Sequence, residues 1–121
     1  MRIVLIEHAQ LAMPAGEEDK ARAFYRDLLE IPEKAKPANL AKRGGVWFER
    51  GDLKVHLGVD KEFRAATKAH VAFVVERLPE LVERARAAGY RVDDDEPLEG
   101  YERIYVYDPF GNRLEFMEPK A

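Results

Sequence analysis

Residues 69–75 read AHVAFVV, a short apolar run with one histidine near its start. The run reads as a strand, rich in β-branched and aromatic residues. His70 inside it is either a polar residue satisfied by one hydrogen bond or a ligand that faces a pocket. The pattern on either side of this run decides the fold.

Downstream, RLPELVERARAAGY (77–90) reads as a helix. Pro79 suits its first turn and Gly89 its C-terminal cap, and Leu81, Val82, Ala85 and Ala88 form its apolar face. RVDDDEPLEG (91–100) is a short strand or loop whose acidic run reads as a solvated edge. YERIYVYDPFGNRLEFMEP (101–119) is a hairpin, and its DPFGN turn holds the Pro and Gly that tight turns demand.

The upstream half follows the same plan. Ile3 to Met13 is apolar and β-rich and stops at Pro14. In AGEEDKARAFYRDLLEI (15–31), Ala21, Phe24, Leu28 and Leu29 recur at helical spacing behind an acidic first turn. Phe24 and Tyr25 read as core. KAKPANLAKRGG (34–45) is turn-like, and VWFERGDLKVHLGV (46–59) is a hairpin with a Gly-Asp turn.

Overlaying the halves makes the plan a repeat. EHAQLAM (7–13) falls on AHVAFVV, pairing His8 with His70, and KVHLGV falls on RLEFME, pairing His56 with Glu115. The separations agree, 48 residues from His8 to His56 and 45 from His70 to Glu115. Module one covers about 1–60 and module two about 68–118 of a single 121-residue domain. Two such halves tend to pack about a pseudo-twofold axis, on which matched positions converge.

Side chains alternate along a strand, so parity assigns faces. Val55, Leu57 and Val59 oppose His56. Val71, Phe73 and Val75 oppose His70. Leu114 and Phe116 oppose Glu115, and Leu11 and Met13 oppose His8. The bulkier face should pack on the helices, and the other carries one potential ligand per strand. Two imidazoles and a carboxylate with open positions suit a divalent transition ion such as Fe(II), with Zn, Ni, Co and Mn equally served. The competing reading leaves each histidine as a singly hydrogen-bonded residue on a half-exposed sheet.

Composition narrows the class. The net charge is −3 with no long basic run, so neither nucleic acid nor an anionic membrane is an expected partner. There is no cysteine, which removes disulfides, zinc-thiolate clusters and thiol nucleophiles. No apolar stretch is long enough to span a membrane, and MRIVLIEH lacks a signal-peptide pattern. A cytoplasmic domain is the expectation.

The chain resembles the vicinal oxygen chelate superfamily, which includes glyoxalase I, fosfomycin- and bleomycin-resistance proteins, extradiol dioxygenases and methylmalonyl-CoA epimerase. IEHAQLAMP looks like its opening strand, ARAFYRDLLEI its first helix, and YVYDPFGNRLEFME its closing hairpin, the most specific of these elements. The resemblance implies an α+β fold of two βαβββ modules forming a cupped sheet, helices outside, with a metal at its floor. It implies His8, His70 and Glu115 as ligands and places His56 where four-ligand members supply another group, a departure from the usual glyoxalase I pattern. By parity, Trp47, Arg103 and Tyr105 lie on the cup side. Trp47 and Tyr105 would wall in a small organic substrate, Arg103 or Arg113 would meet an anionic group, and Tyr105 would serve as acid or base.

The implied activity is that of a glyoxalase-like metalloenzyme, a lyase, isomerase or dioxygenase that chelates vicinal oxygens of its substrate. The alternatives are thiol transfer to an epoxide antibiotic, for which no clear potassium-binding loop is present, a bleomycin-resistance-type binding protein, and a structural dimer with a vestigial site. A homodimer is expected, because modules of this family often pair between chains.

Overall fold

Eight strands and a few short helices are disposed in two four-stranded sheets. The computed structural model describes residues 1–121 and divides into two units, Met1–Phe63 and Arg64–Ala121. In the first unit β1 (Ala9–Met13) leads into α1 (Glu18–Ala21), which continues as a π-helical stretch, Arg22–Leu28. Then come β2 (Glu33–Lys34), α2 (Ala38–Ala41), β3 (Val46–Arg50) and β4 (Leu53–Val59). The sheet order is β1-β4-β3-β2, with β1 parallel to β4 and the other pairs antiparallel.

The second unit repeats this plan. It contains β5 (Val71–Val74), α3 (Leu78–Ala87), β6 (Val92–Asp93), β7 (Tyr101–Tyr107) and β8 (Arg113–Pro119), in the order β5-β8-β7-β6. β5 is parallel to β8 and the remaining pairs are antiparallel. This is the expected α+β fold of two βαβββ modules. The register also reproduces the overlay of the halves. Trp47 pairs with His56 as Tyr105 pairs with Glu115, and Gln10 pairs with His56 as Ala72 pairs with Glu115.

Each sheet buries its bulkier face. In the first unit Met13, Val46, Phe48, Val55 and Leu57 are buried together with Phe24, Tyr25 and Leu28 of the helical stretch. The π turns, marked by Leu29 N–H donating to Phe24 O, let the neighbouring Phe24 and Tyr25 both turn inward. Their rings meet edge-on at 4.8 Å, and Tyr25 stacks on Phe48 at 5.5 Å. In the second unit Leu81 and Ala85 of α3 are buried, as are Ile104, Val106, Leu114 and Phe116. The Glu118 carboxylate accepts the Arg77 and Leu78 N–H groups at 2.7 and 3.1 Å. It thereby satisfies orphan donors where α3 begins.

Two expectations need correction. The first strand begins at Ala9, not Ile3. β1 runs parallel to β4 from Ala9 opposite Val55, and β4 itself begins at Leu53, just after the Gly51-Asp52 turn. Residues before Ala9 thus run out of partner strand, and Ile3 and Ile6 are left 85% and 87% exposed. The segment 34–45, expected as turn alone, also ends β2 and contains α2, one helical turn after Pro37. No helix is long and apolar enough to cross a membrane.

Candidate metal centre

β8 sets Leu114 and Phe116 into the core of the second unit and turns Glu115 to the opposite face, where its residue is only 6% exposed. His70 lies just before β5, two residues from Ala72, which pairs with Glu115. His70 Nε2 stands 2.9 Å from Glu115 Oε1. The other ring nitrogen, Nδ1, stands 3.0 Å from the Lys68 carbonyl oxygen. A carbonyl only accepts, so Nδ1 carries a proton and donates it there. In the neutral ring Nε2 is then a bare lone pair, aimed at a carboxylate oxygen. Two acceptors attract at that distance only if a proton or a cation lies between them.

The second carboxylate oxygen is held from the other side. Arg103 Nη1 donates to Glu115 Oε2 at 3.2 Å and to the Tyr105 hydroxyl at 3.4 Å. Tyr105 is buried, and the Arg113 guanidinium carbon lies over its ring, 3.7 Å from the centroid. Burial pushes the Tyr105 phenol up, and its hydrogen bond to Asp95 and the charge of Glu115 act in the same direction. The Glu96 N–H, followed by the Tyr105 hydroxyl, holds the Asp95 carboxyl below the usual carboxylate range. Tyr105 is accordingly built to keep its proton and donate it.

In the first unit the equivalent face carries stacked rings. His56 lies between Trp47, at 4.0 Å and nearly parallel, and His8, at 4.3 Å. His56 is 4% exposed, and its Nε2 is hydrogen-bonded to Glu49 Oε2 at 2.7 Å. Only Nδ1 of this ring is without a partner. His8 Nδ1 lies 3.2 Å from Glu7 Oε1, and Glu7 also pairs with Lys54. On the same face Gly58 makes room for Gln10: a Cβ at Gly58 would fall 2.7 Å from Gln10 Nε2.

The four expected ligands are therefore brought together in twos, His8 with His56 and His70 with Glu115. In neither unit do three or more His, Asp or Glu side chains gather as they would around an ion. The His70–Glu115 pair has the donor chemistry a divalent transition ion asks for, an imidazole nitrogen beside a carboxylate oxygen. Trp47, Tyr105, Arg103 and Arg113 all lie on the expected faces, but the donors of Arg103 are already engaged, whereas Arg113 Nε has no hydrogen-bond partner and its Nη2 lies 3.6 Å from the Asp95 carboxylate. Sequence reasoning missed Glu49, which parity places on the face of Trp47 and hence of His56. It also missed Lys68, Asp95 and Glu96, which act from loops where no periodicity assigns a direction.

A sequence profile for the Glyoxalase/Bleomycin resistance protein/Dioxygenase superfamily matches residues 6–116. Among solved structures, a putative glyoxalase family protein from Bacillus anthracis is 44% identical, with a TM-score of 0.92 over 99% of this chain and 98% of its own. The fosfomycin resistance protein FosX from Listeria monocytogenes is similar in fold, at 20% identity and a TM-score of 0.79 over 99% of this chain and 97% of its own. FosX has also been solved complexed with Mn(II) and sulfate ion, at 20% identity and a TM-score of 0.79 over 99% of this chain and 94% of its own. No match is found among curated protein sequences.

Proposed function

The chain belongs to the glyoxalase/bleomycin resistance protein/dioxygenase superfamily, and we propose that it is a glyoxalase-like metalloenzyme acting on a small organic substrate with vicinal oxygens. Its reaction would be that of a lyase, an isomerase or a dioxygenase. The reading is carried by the pairing of His70 Nε2 with Glu115 Oε1, 2.9 Å apart, while the other ring nitrogen is held by the Lys68 carbonyl. That pair would hold a divalent ion, and the family resemblance implies His8 as a further ligand. His56, its Nε2 already given to Glu49, would prop the His8 ring rather than supply a fourth bond. The ion contributes Lewis acidity toward an oxyanion that develops on the substrate.

The remaining residues orient the substrate and handle protons. Tyr105 donates a proton or a hydrogen bond, Trp47 offers a flat wall, and Arg113 meets an anionic group. The Mn(II) carried by FosX makes Mn(II) the first ion to test here, with Fe(II), Ni, Zn and Co beside it. A second reading, a binding protein of the bleomycin-resistance kind, is favoured by the Trp47–His56–His8 stack, a ready platform for a planar ligand.

We further read the chain as a homodimer. Ile3, Val4, Leu5 and Ile6 are consecutive, apolar and each at least 69% exposed, more than a monomer usually leaves bare in one run. Sedimentation of Ile6→Asp beside wild type checks this: the substitution should yield monomer, and a wild-type monomer would refute the reading.

Metal content tests the central claim. Untagged protein offered Mn(II), Fe(II), Ni(II) and Zn(II) should retain about one ion per chain, and Glu115→Ala should lose it. Wild type holding less than about a tenth of an ion per chain would overturn the metalloenzyme reading. Bound metal with no turnover of hemithioacetals or catechols, together with tight binding of planar compounds, would favour the binding protein.

A further inference from the structure

The two oxygens of Glu115 face different neighbours. Oε1 meets His70 Nε2 at 2.9 Å, and Oε2 meets Arg103 Nη1 at 3.2 Å. We propose that Arg103 is a positioning residue whose hold on Oε2 leaves a bound divalent ion one oxygen of Glu115 instead of two. The inference rests on the metal reading above and adds to it a device that sets the number of open coordination positions.

Arg103 is itself anchored on its far edge. Nη2 and Nε both donate to the Glu96 carbonyl oxygen, at 2.6 and 3.1 Å, and the Asp95 carboxylate lies 3.7 Å from Nη2. A planar guanidinium gripped along one edge cannot follow a carboxylate that rotates away from the other. The Arg103 side chain is 17% exposed and that of Glu115 8%, so little water stands by to replace a broken contact. A carboxylate that turned both oxygens toward an ion would strip Nη1 of its charge-assisted bond and leave a poorly solvated donor behind. With Oε2 held, the lone pair of His70 and one oxygen of Glu115 are what this unit presents.

The consequence is for substrate. A ligand that binds through two neighbouring oxygens needs two adjacent positions on the ion, and a bidentate carboxylate would occupy one position more, leaving fewer for ligand and water together. Arg103 or Arg113 was expected to meet an anionic group of the substrate. For Arg103 the geometry points instead to a role behind the ligand, which agrees with all three of its nitrogens already having acceptors.

Counting water molecules on bound Mn(II) tests this without turnover. Water-proton relaxation and line broadening by oxygen-17-labelled water both report how many positions solvent occupies. Arg103→Met and Arg103→Gln should each carry about one water fewer than wild type, while Mn(II) affinity stays within about tenfold. Arg103→Lys, which can still donate to Oε2, should return the wild-type count. Circular dichroism establishes that each variant is folded, and if the methionine variant is not, the glutamine variant decides. Unchanged water counts in folded variants that bind Mn(II) would overturn this inference alone. A wild-type chain that binds no Mn(II), Fe(II), Ni(II) or Zn(II) would overturn the metal reading and this inference with it.

Discussion

The two units place equivalent residues on equivalent strands and use them differently. In the first, the pair opposite each other on the ladder is Trp47 and His56, and in the second it is Tyr105 and Glu115. The first unit closes its polar face with stacked rings and a hydrogen bond from His56 to Glu49. The second brings His70 Nε2 to 2.9 Å from a Glu115 oxygen and surrounds the pair with two arginines. The same scaffold thus carries a stacked aromatic face in one unit and a charged face in the other.

The largest test of this comparison concerns the scaffold. Phe48 and Val106 are equivalent and both fully buried. Phe48→Ala should cost about 3–5 kcal/mol and Val106→Ala about 2 kcal/mol in denaturant unfolding, because the cavity grows with the side chain removed. Equal costs would mean that the two cores relax differently despite matched strands.

The next test separates the polar pairs. Glu115→Ala and His70→Ala should each weaken metal binding by more than about 100-fold, and His56→Ala by no more than about tenfold, as measured by competition with a chelator. An equal loss at His56 would make it a fourth ligand and erase the contrast between the units. Glu49→Ala reads the same contrast from the other side. It leaves the buried His56 N–H without an acceptor, which should cost about 1–3 kcal/mol of stability with metal absent.

The smallest effect is in the pH profile. Because burial raises the Tyr105 phenol, its contribution to stability is fully present below the ordinary phenol range and is lost as pH rises through the raised value. In an ultraviolet difference titration Tyr105→Phe should remove a tyrosine that ionises above the ordinary phenol range. Removal of an ordinary or early transition would contradict the shift.

Much of this was legible from residue order. The alternation of Val, Leu and Phe with His or Glu assigns the strand faces, and the matched separations of the histidines anticipate the matched registers of the two sheets. The limits are equally specific. Ile3 to Ile6 has the composition of a strand, but a strand needs a neighbour, and β4 begins too late to supply one. The acidic run at residues 93–96 reads as solvated edge, yet Asp95 and Glu96 anchor Arg103 and Tyr105. Their roles depend on how the connection from β6 to β7 folds back, which no side-chain period encodes.

From sequence alone came the α+β repeat, the faces of its strands and the candidate ligands those faces carry, because hydrophobic periodicity follows directly from backbone geometry. Only the tertiary structure decided which donors are already spent: His56 on Glu49, His70 Nδ1 on Lys68, and one oxygen of Glu115 on Arg103. Hydrogen bonds are local in space and not in sequence, and an angle or an ångström determines whether a nitrogen is free to bind.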